Sequence, residues 1–223
     1  MADRAPTADP AAFILANTAV DTPPLVAEIR LRLATERAPI WHATEGDLAH
    51  LGVPPPFWAF AWAGGQALAR YLLDTPETVA GKRVLDFGSG SGLVAIAAAR
   101  AGAASVTASD IDPFAVAAIG LNADLNGVTV SATEDDLIGT DGPWDVVLTG
   151  DICYERPLAE SAVDWLTRLS ATGTAVLIGD PGRTFLPQQG LDWVIRYAVK
   201  TATELEDTDV RNAVVWRIRE AQP

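Results

Sequence analysis

The chain has 223 residues, one cysteine, two histidines and a formal charge of −13 at pH 7. That length suits a single domain, and the lone Cys153 excludes an internal disulfide and a Cys-rich zinc site, with His42 and His50 too few to build a metal cluster. The acidity argues against a nucleic-acid binder, which needs a basic patch for phosphates, and no apolar run reaches the roughly 18 residues of a membrane span.

Met1 to Pro10 holds two Asp, two Pro and no apolar stretch. It resembles neither a secretory signal nor an Arg-rich transit peptide, so the expected compartment is the cytoplasm, or the mitochondrial matrix in a eukaryote. Residues 1–53 read as a lead region and residues 54–223 as the main domain. Within the lead, Asp9-Pro10 followed by Ala11 to Ala16 predicts a capped short helix. Glu28 to Leu33 alternates strictly and predicts a half-exposed strand. Pro54-Pro55-Pro56 stops regular structure. An aromatic run, Phe57-Trp58-Ala59-Phe60-Ala61-Trp62, follows. Phe57 and Phe60 are expected in the core, and Trp58 or Trp62 on the wall of a pocket. Residues 64–73 predict a helix.

From Lys82 the pattern repeats. Strands are predicted at 82–87, 104–110, 127–132, 144–150 and 174–180, with helices at 92–101, 113–125 and 157–170 between them. Alternation of this kind implies a parallel sheet covered by helices on both faces. Two further strands, 191–201 and 210–218, have no clear helix between them, and Asp207-Thr208-Asp209 suits the turn of an antiparallel pair. The expected fold is α/β: a Rossmann-like sheet of seven strands, five of them parallel, ending in a C-terminal antiparallel hairpin.

The run Val84-Leu85-Asp86-Phe87-Gly88-Ser89-Gly90-Ser91-Gly92 reads as a buried strand, a glycine loop and a helix start. A dinucleotide site wants Gly-x-Gly-x-x-Gly, so that a helix N-terminus meets pyrophosphate. Here the third glycine comes one residue early, and Asp86 stands two residues before the first. A carboxylate in that place repels a phosphate and favours an ammonium group, which suits S-adenosylmethionine better than NAD. Asp86 and the loop residues Gly88, Ser89, Gly90 and Gly92 are the candidate contacts for this cofactor; Gly88 and Gly90 would allow close backbone approach and positive φ, and Gly92 also tight helix packing.

Ligands of an open parallel sheet bind beyond the carboxyl ends of its strands. The second strand ends at Asp110-Ile111-Asp112-Pro113. Asp110 is the candidate acceptor for ribose hydroxyls, Ile111 a surface for adenine, and Asp112 an N-cap. After the third strand, Asp136-Leu137 is the candidate contact for the adenine edge. The fourth strand ends at Gly150-Asp151-Ile152-Cys153-Tyr154, where Asp151 and Tyr154 would face an incoming amine and Cys153 is a small buried thiol. The fifth ends at Gly179-Asp180-Pro181-Gly182-Arg183. A Pro-Gly turn accounts for part of it, and Asp180 and Arg183 are candidates for the rim where substrate enters.

Taken together, these segments resemble the electron transfer flavoprotein β-subunit lysine methyltransferases, a branch of the seven-strand protein methyltransferases. The resemblance rests on Pro56-Phe57-Trp58 with Trp62-Ala63-Gly64-Gly65-Gln66, on Val84 to Gly92, and on Asp110 to Pro113. It continues through Leu121-Asn122 with Leu125-Asn126, Gly150-Asp151 with Tyr154, Leu177 to Arg183 and Val215-Trp216, covering roughly residues 55–218. Ala63 departs from the family, where proline is expected. The resemblance implies transfer of a methyl group from S-adenosylmethionine to a lysine Nε of a protein, the flavoprotein β-subunit. S-adenosylhomocysteine would be the product, and no metal is needed. Asp151 would hold the incoming cation and Tyr154 would wall the channel. Two alternatives stand beside it: a small-molecule N-methyltransferase with a nicotinamide-like acceptor, and a non-catalytic binding module of the same fold.

Overall fold

The computed structural model describes residues 9–35, 40, 53–201 and 208–219. His42, His50 and Asp207 lie outside them.

The main sheet has seven strands: β3 (Arg83–Phe87), β4 (Ser105–Ser109), β5 (Ser131–Thr133), β6 (Val146–Gly150), β7 (Ala175–Asp180), β8 (Leu191–Lys200) and β9 (Val210–Ile218). Their order across the sheet is β5-β4-β3-β6-β7-β9-β8. The first five are mutually parallel, and β9 runs antiparallel to both β7 and β8. The expected five-plus-hairpin sheet is present. β3 lies between β4 and β6, so the order reverses there. That is where an open α/β sheet leaves a crevice beyond its strand ends.

Period-two alternation divides the apolar residues between the two faces. Val84, Val146, Leu148 and Leu177 turn to the face covered by α2 (Ala63–Asp74) and α3 (Leu93–Arg100), with Ile119 of α4 (Pro113–Asn126) beside them. Leu85, Val147, Val176 and Ile178 turn to the other face, where α5 (Arg156–Ala171) contributes Trp165, Leu166 and Leu169. Because helices cover both faces, the parallel strands are nearly continuous apolar runs.

The lead region is shorter in regular structure than its alternation suggests. α1 (Pro10–Asn17) forms with Asp9 as its cap. The strand expected over 28–33 is reduced to β2 (Leu31–Leu33), which pairs antiparallel with β1 (Ala19–Asp21). Arg30 is held instead by α4: Asn126 accepts from the Arg30 backbone nitrogen and donates to the Arg30 carbonyl oxygen. Asn122 extends the clamp. Its Oδ1 accepts from Arg32 N at 2.8 Å, and its Nδ2 donates to Ser91 O at 2.8 Å, so one buried amide ties the lead region to the glycine loop. The strand expected over 127–132 is only β5. Gly127, at φ 65°, is the left-handed C-cap that ends α4, and such a cap takes up the residues where the strand would begin.

Candidate active site

A cleft of about 420 Å³ opens beyond the carboxyl ends of β3, β4 and β6. Its base is the glycine loop. Gly88 and Gly90 have φ of 65° and 54°, a region that disfavours side chains, and both line the cleft. Gly92 is the N-cap of α3, and a Cβ there would sit 3.3 Å from Ile119 Cα, so its role is helix packing as expected. Gly92 and Ser89 are not among the lining residues.

Asp86 corrects the expectation placed on it. It is buried and does not line the cleft. Its Oδ2 accepts from Ser89 Oγ at 2.6 Å and from Ala95 N at 3.0 Å. A glycine N-cap has no side chain to satisfy the first N–H groups of α3, and Asp86 satisfies one of them from the neighbouring strand. Burial pushes its carboxyl up to about 7, against the pull of those two hydrogen bonds.

Asp110 does line the cleft. Its Oδ2 accepts from Gly90 N at 2.9 Å and its Oδ1 from Asp112 N at 3.1 Å. Each oxygen keeps a further lone pair for a hydroxyl donor. Burial pushes its pKa up. Asp112 caps α4 through Phe114 N at 2.8 Å, as the Asp-Pro pair implies, and burial carries it up to about 6. Ile111 is 72% exposed at the edge of the cleft. Asp136 lines the cleft, whereas Leu137 does not: it packs, partly buried, against the core on the α5 face, and Ile138 takes the lining position.

The aromatic run is arranged differently from the expectation. Phe57, expected in the core, is 49% exposed and lines the cleft. A one-turn 3-10 helix over Phe57–Ala59 turns Trp58 inward, where it is buried against Phe114 with ring centroids 6.3 Å apart, while it still lines the cleft. Trp62 lines the cleft too, and its Nε1 donates to Phe57 O at 2.9 Å. Tyr154 stands opposite, its ring 5.5 Å from that of Phe57. Phe57, Trp62 and Tyr154 thus form an aromatic collar.

At the end of β6, Asp151 adopts φ 56°, alone among the described non-glycine residues in having positive φ. Its Oδ2 accepts from Gly65 N at 2.9 Å, near the N-terminus of α2, and its Oδ1 accepts from Arg183 Nη2 at 2.8 Å and Nε at 3.2 Å. Burial pushes its carboxyl up to about 6, while the Arg183 guanidinium works in the opposite direction. This contact needs close approach of α2 to the sheet, and the absence of a side chain at Gly64, Gly150 and Gly179 permits it. A Cβ on Gly64 would overlap the Gly179 carbonyl, and one on Gly150 would lie 2.9 Å from Gly65 Cα. The pairing of Gly64-Gly65 with the strand-terminal Gly150 and Gly179 was missed in the sequence, although all four glycines were visible there.

Asp180 is fully buried rather than on the rim. Its Oδ1 accepts from Gly182 N at 2.6 Å and Arg183 N at 2.7 Å, which fixes the turn that carries Arg183. Arg183 does line the cleft, with its guanidinium carbon 5.5 Å from the Trp62 ring centroid. Cys153 is buried, as expected, and burial lifts its thiol to about 12, so it holds its proton. Among the described residues no cluster of His, Cys, Asp and Glu suits a metal, and no helix is long and apolar enough to cross a membrane.

The family model described as ribosomal protein L11 methyltransferase (PrmA) matches residues 67–179. The chain is 42% identical over 214 residues to the electron transfer flavoprotein beta subunit lysine methyltransferase of Xenopus laevis, spanning 93% of this chain and 86% of that one. It is 41% identical over 213 residues to the human protein of the same name, spanning 92% and 80%. Among solved structures, magnesium protoporphyrin IX methyltransferase (ChlM) from Synechocystis PCC 6803 with bound SAM shares the fold at a TM-score of 0.52 and 19% identity, covering 70% of this chain and 80% of that one.

Proposed function

The chain belongs to the electron transfer flavoprotein β-subunit lysine methyltransferase family, and from that premise we propose that it methylates lysine Nε on that β-subunit with S-adenosylmethionine as donor. The observation that carries this reading is the meeting of two surfaces in one cleft. A carboxylate-lined floor suits a nucleoside, and an exposed aromatic collar suits a long cationic side chain.

The donor set fits the cofactor. Asp110 would accept the ribose hydroxyls, with Ile111 against the adenine face and Asp136 with the Leu137 backbone near its edge. The Gly88 and Gly90 backbone would line the methionine end, with Trp58 behind it. Bound there, S-adenosylmethionine supplies an electrophilic methyl group and leaves as S-adenosylhomocysteine. A cation beside the aromatic collar gains about 0.5–2 kcal/mol.

The acceptor must be neutral to react. A lysine with a pKa near ~10.4 is neutral in only about one molecule in 10³ at pH 7. The chain's task is therefore to align the amine while its proton leaves to water. Phe57, Trp62 and Tyr154 confine the side chain, and Asp151 sits at its end. Such positioning accounts for much of the acceleration expected of a direct displacement. Incubation with methyl-labelled S-adenosylmethionine and the purified β-subunit should place label on lysine. Label in a cell lysate that enters only small molecules would contradict the reading and favour the small-amine alternative.

A further inference from the structure

The Asp151 carboxylate has both oxygens engaged. Oδ2 faces α2: it accepts from Gly65 N at 2.9 Å and lies 2.6 Å from where a Gly64 Cβ would stand. Oδ1 faces the cleft side and is filled by Nη2 and Nε of Arg183. The same guanidinium lies over the Trp62 ring at 5.5 Å. An anion on one side and an indole face on the other is the seat that an alkylammonium requires. Here the chain's own cation occupies it.

Resting on the lysine-methylation reading, we propose that Arg183 is a resident stand-in for the substrate lysine, which fills the ammonium seat between Asp151 and Trp62 until a docked acceptor displaces it. The backbone under Arg183 is pinned by Asp180, so exchange requires only movement of the side chain. The Arg183 side chain is 19% exposed and lines the cleft. Replacing one cation by another leaves Asp151 compensated, which matters because an unpaired buried carboxylate is costly. The exchange also confers specificity. A small free amine expels Arg183 only at high concentration, whereas a lysine presented on a protein surface adds docking energy to the exchange.

The test needs neither turnover nor the flavoprotein. n-Butylammonium, which has the lysine side chain's length and charge, is titrated calorimetrically into protein saturated with S-adenosylhomocysteine. Arg183→Gln should bind it about tenfold more tightly than wild type, the scale of one charge-assisted hydrogen bond. Arg183→Lys, which restores a cation, should bind as weakly as wild type. Equal affinity in wild type and Arg183→Gln, or binding to neither, overturns the proposal. If Arg183→Gln does not fold, wild type with ¹⁵N-labelled arginine gives the answer. Saturating n-butylammonium should move the Arg183 Nε–H resonance to the position of free arginine, and a resonance that stays in place overturns the proposal. A chain that passes these tests yet leaves the β-subunit unmethylated would disprove the substrate reading alone.

Discussion

The Asp151 carboxylate joins the Gly65 backbone nitrogen at 2.9 Å, linking the end of β6 to the start of α2. Asp86 does the same for α3 through Ala95 N at 3.0 Å. Both helices begin without a capping side chain of their own, and each takes its acceptor from a buried strand-end carboxylate. Two helix starts and the cleft between them are therefore held by the same pair of aspartates.

Asp151→Ala should abolish methylation while leaving most S-adenosylhomocysteine affinity. It should also cost stability. The substitution removes the Asp151 carboxylate from Arg183 and places alanine at φ 56°. Breaking a buried pair costs about 3–5 kcal/mol. Asp151→Asn keeps an acceptor for Gly65 and tolerates the left-handed backbone, so it should lose less. Chemical denaturation and calorimetric binding separate the two effects. Near wild-type turnover in Asp151→Ala would remove Asp151 from the site.

Gly64→Ala and Gly120→Ala make an opposed pair. A Cβ on Gly64 would overlap the Gly179 carbonyl, and overpacking of this kind costs about 1–3 kcal/mol or more. Gly120 lies on the exposed side of α4 with nothing within 4 Å of an added Cβ. There alanine should stabilise by about 0.5–1 kcal/mol. Denaturation midpoints that move in the same direction would contradict the proposed close approach of α2 to the sheet.

Stability should fall as pH rises through the range in which Asp86 ionises. Its carboxyl is lifted from 3.8 to about 7, so the folded chain holds the proton more tightly than the unfolded chain does. The contribution is most favourable below about pH 4, declines through the window up to about 7, and amounts to roughly 4 kcal/mol in total. Asp112 and Asp151, each lifted to about 6, add in the same direction. Asp86→Asn should flatten the slope between about pH 4 and 7, read from denaturant titrations at a series of pH values. The amide oxygen can still accept from both Ala95 N and Ser89 Oγ, because the two donors share one carboxylate oxygen. An unchanged slope in this variant would rule out Asp86 as the source.

Tyr154→Phe should retain activity, and Tyr154→Ala should lose it with a raised KM for the protein acceptor. The ring, 44% exposed and against Phe57, is the part assigned to the channel wall. Loss of activity in both variants would assign the function to the hydroxyl instead.

Strand and helix positions were legible because burial on both faces gives each parallel strand an unbroken apolar run, and because Pro113 and Gly127 bracket α4. The strand-end carboxylates were legible as a group, since the fold places every such residue at one edge. Their orientations were not. Asp86 turns to its own loop because Gly92 leaves α3 uncapped, and Asp180 turns inward because the Pro181-Gly182 turn needs an acceptor. Phe57 left the core for the cleft, and Trp58 is buried while it lines the cleft, because a single 3-10 turn decides which neighbour faces inward, and no periodicity is readable over three residues. Four glycines in three distant segments met because the first turn of α2 crosses the ends of β6 and β7, a relation that spacing along the chain does not encode.

Intact-mass spectrometry of the purified flavoprotein β-subunit tests the identity of the acceptor most directly. Incubated with S-adenosylmethionine and the wild-type chain, the subunit should gain the mass of one or more methyl groups, mapped by peptide sequencing to lysine, and should gain none with Asp151→Ala. An unmodified β-subunit in a reaction where S-adenosylhomocysteine accumulates against a small amine would contradict the account.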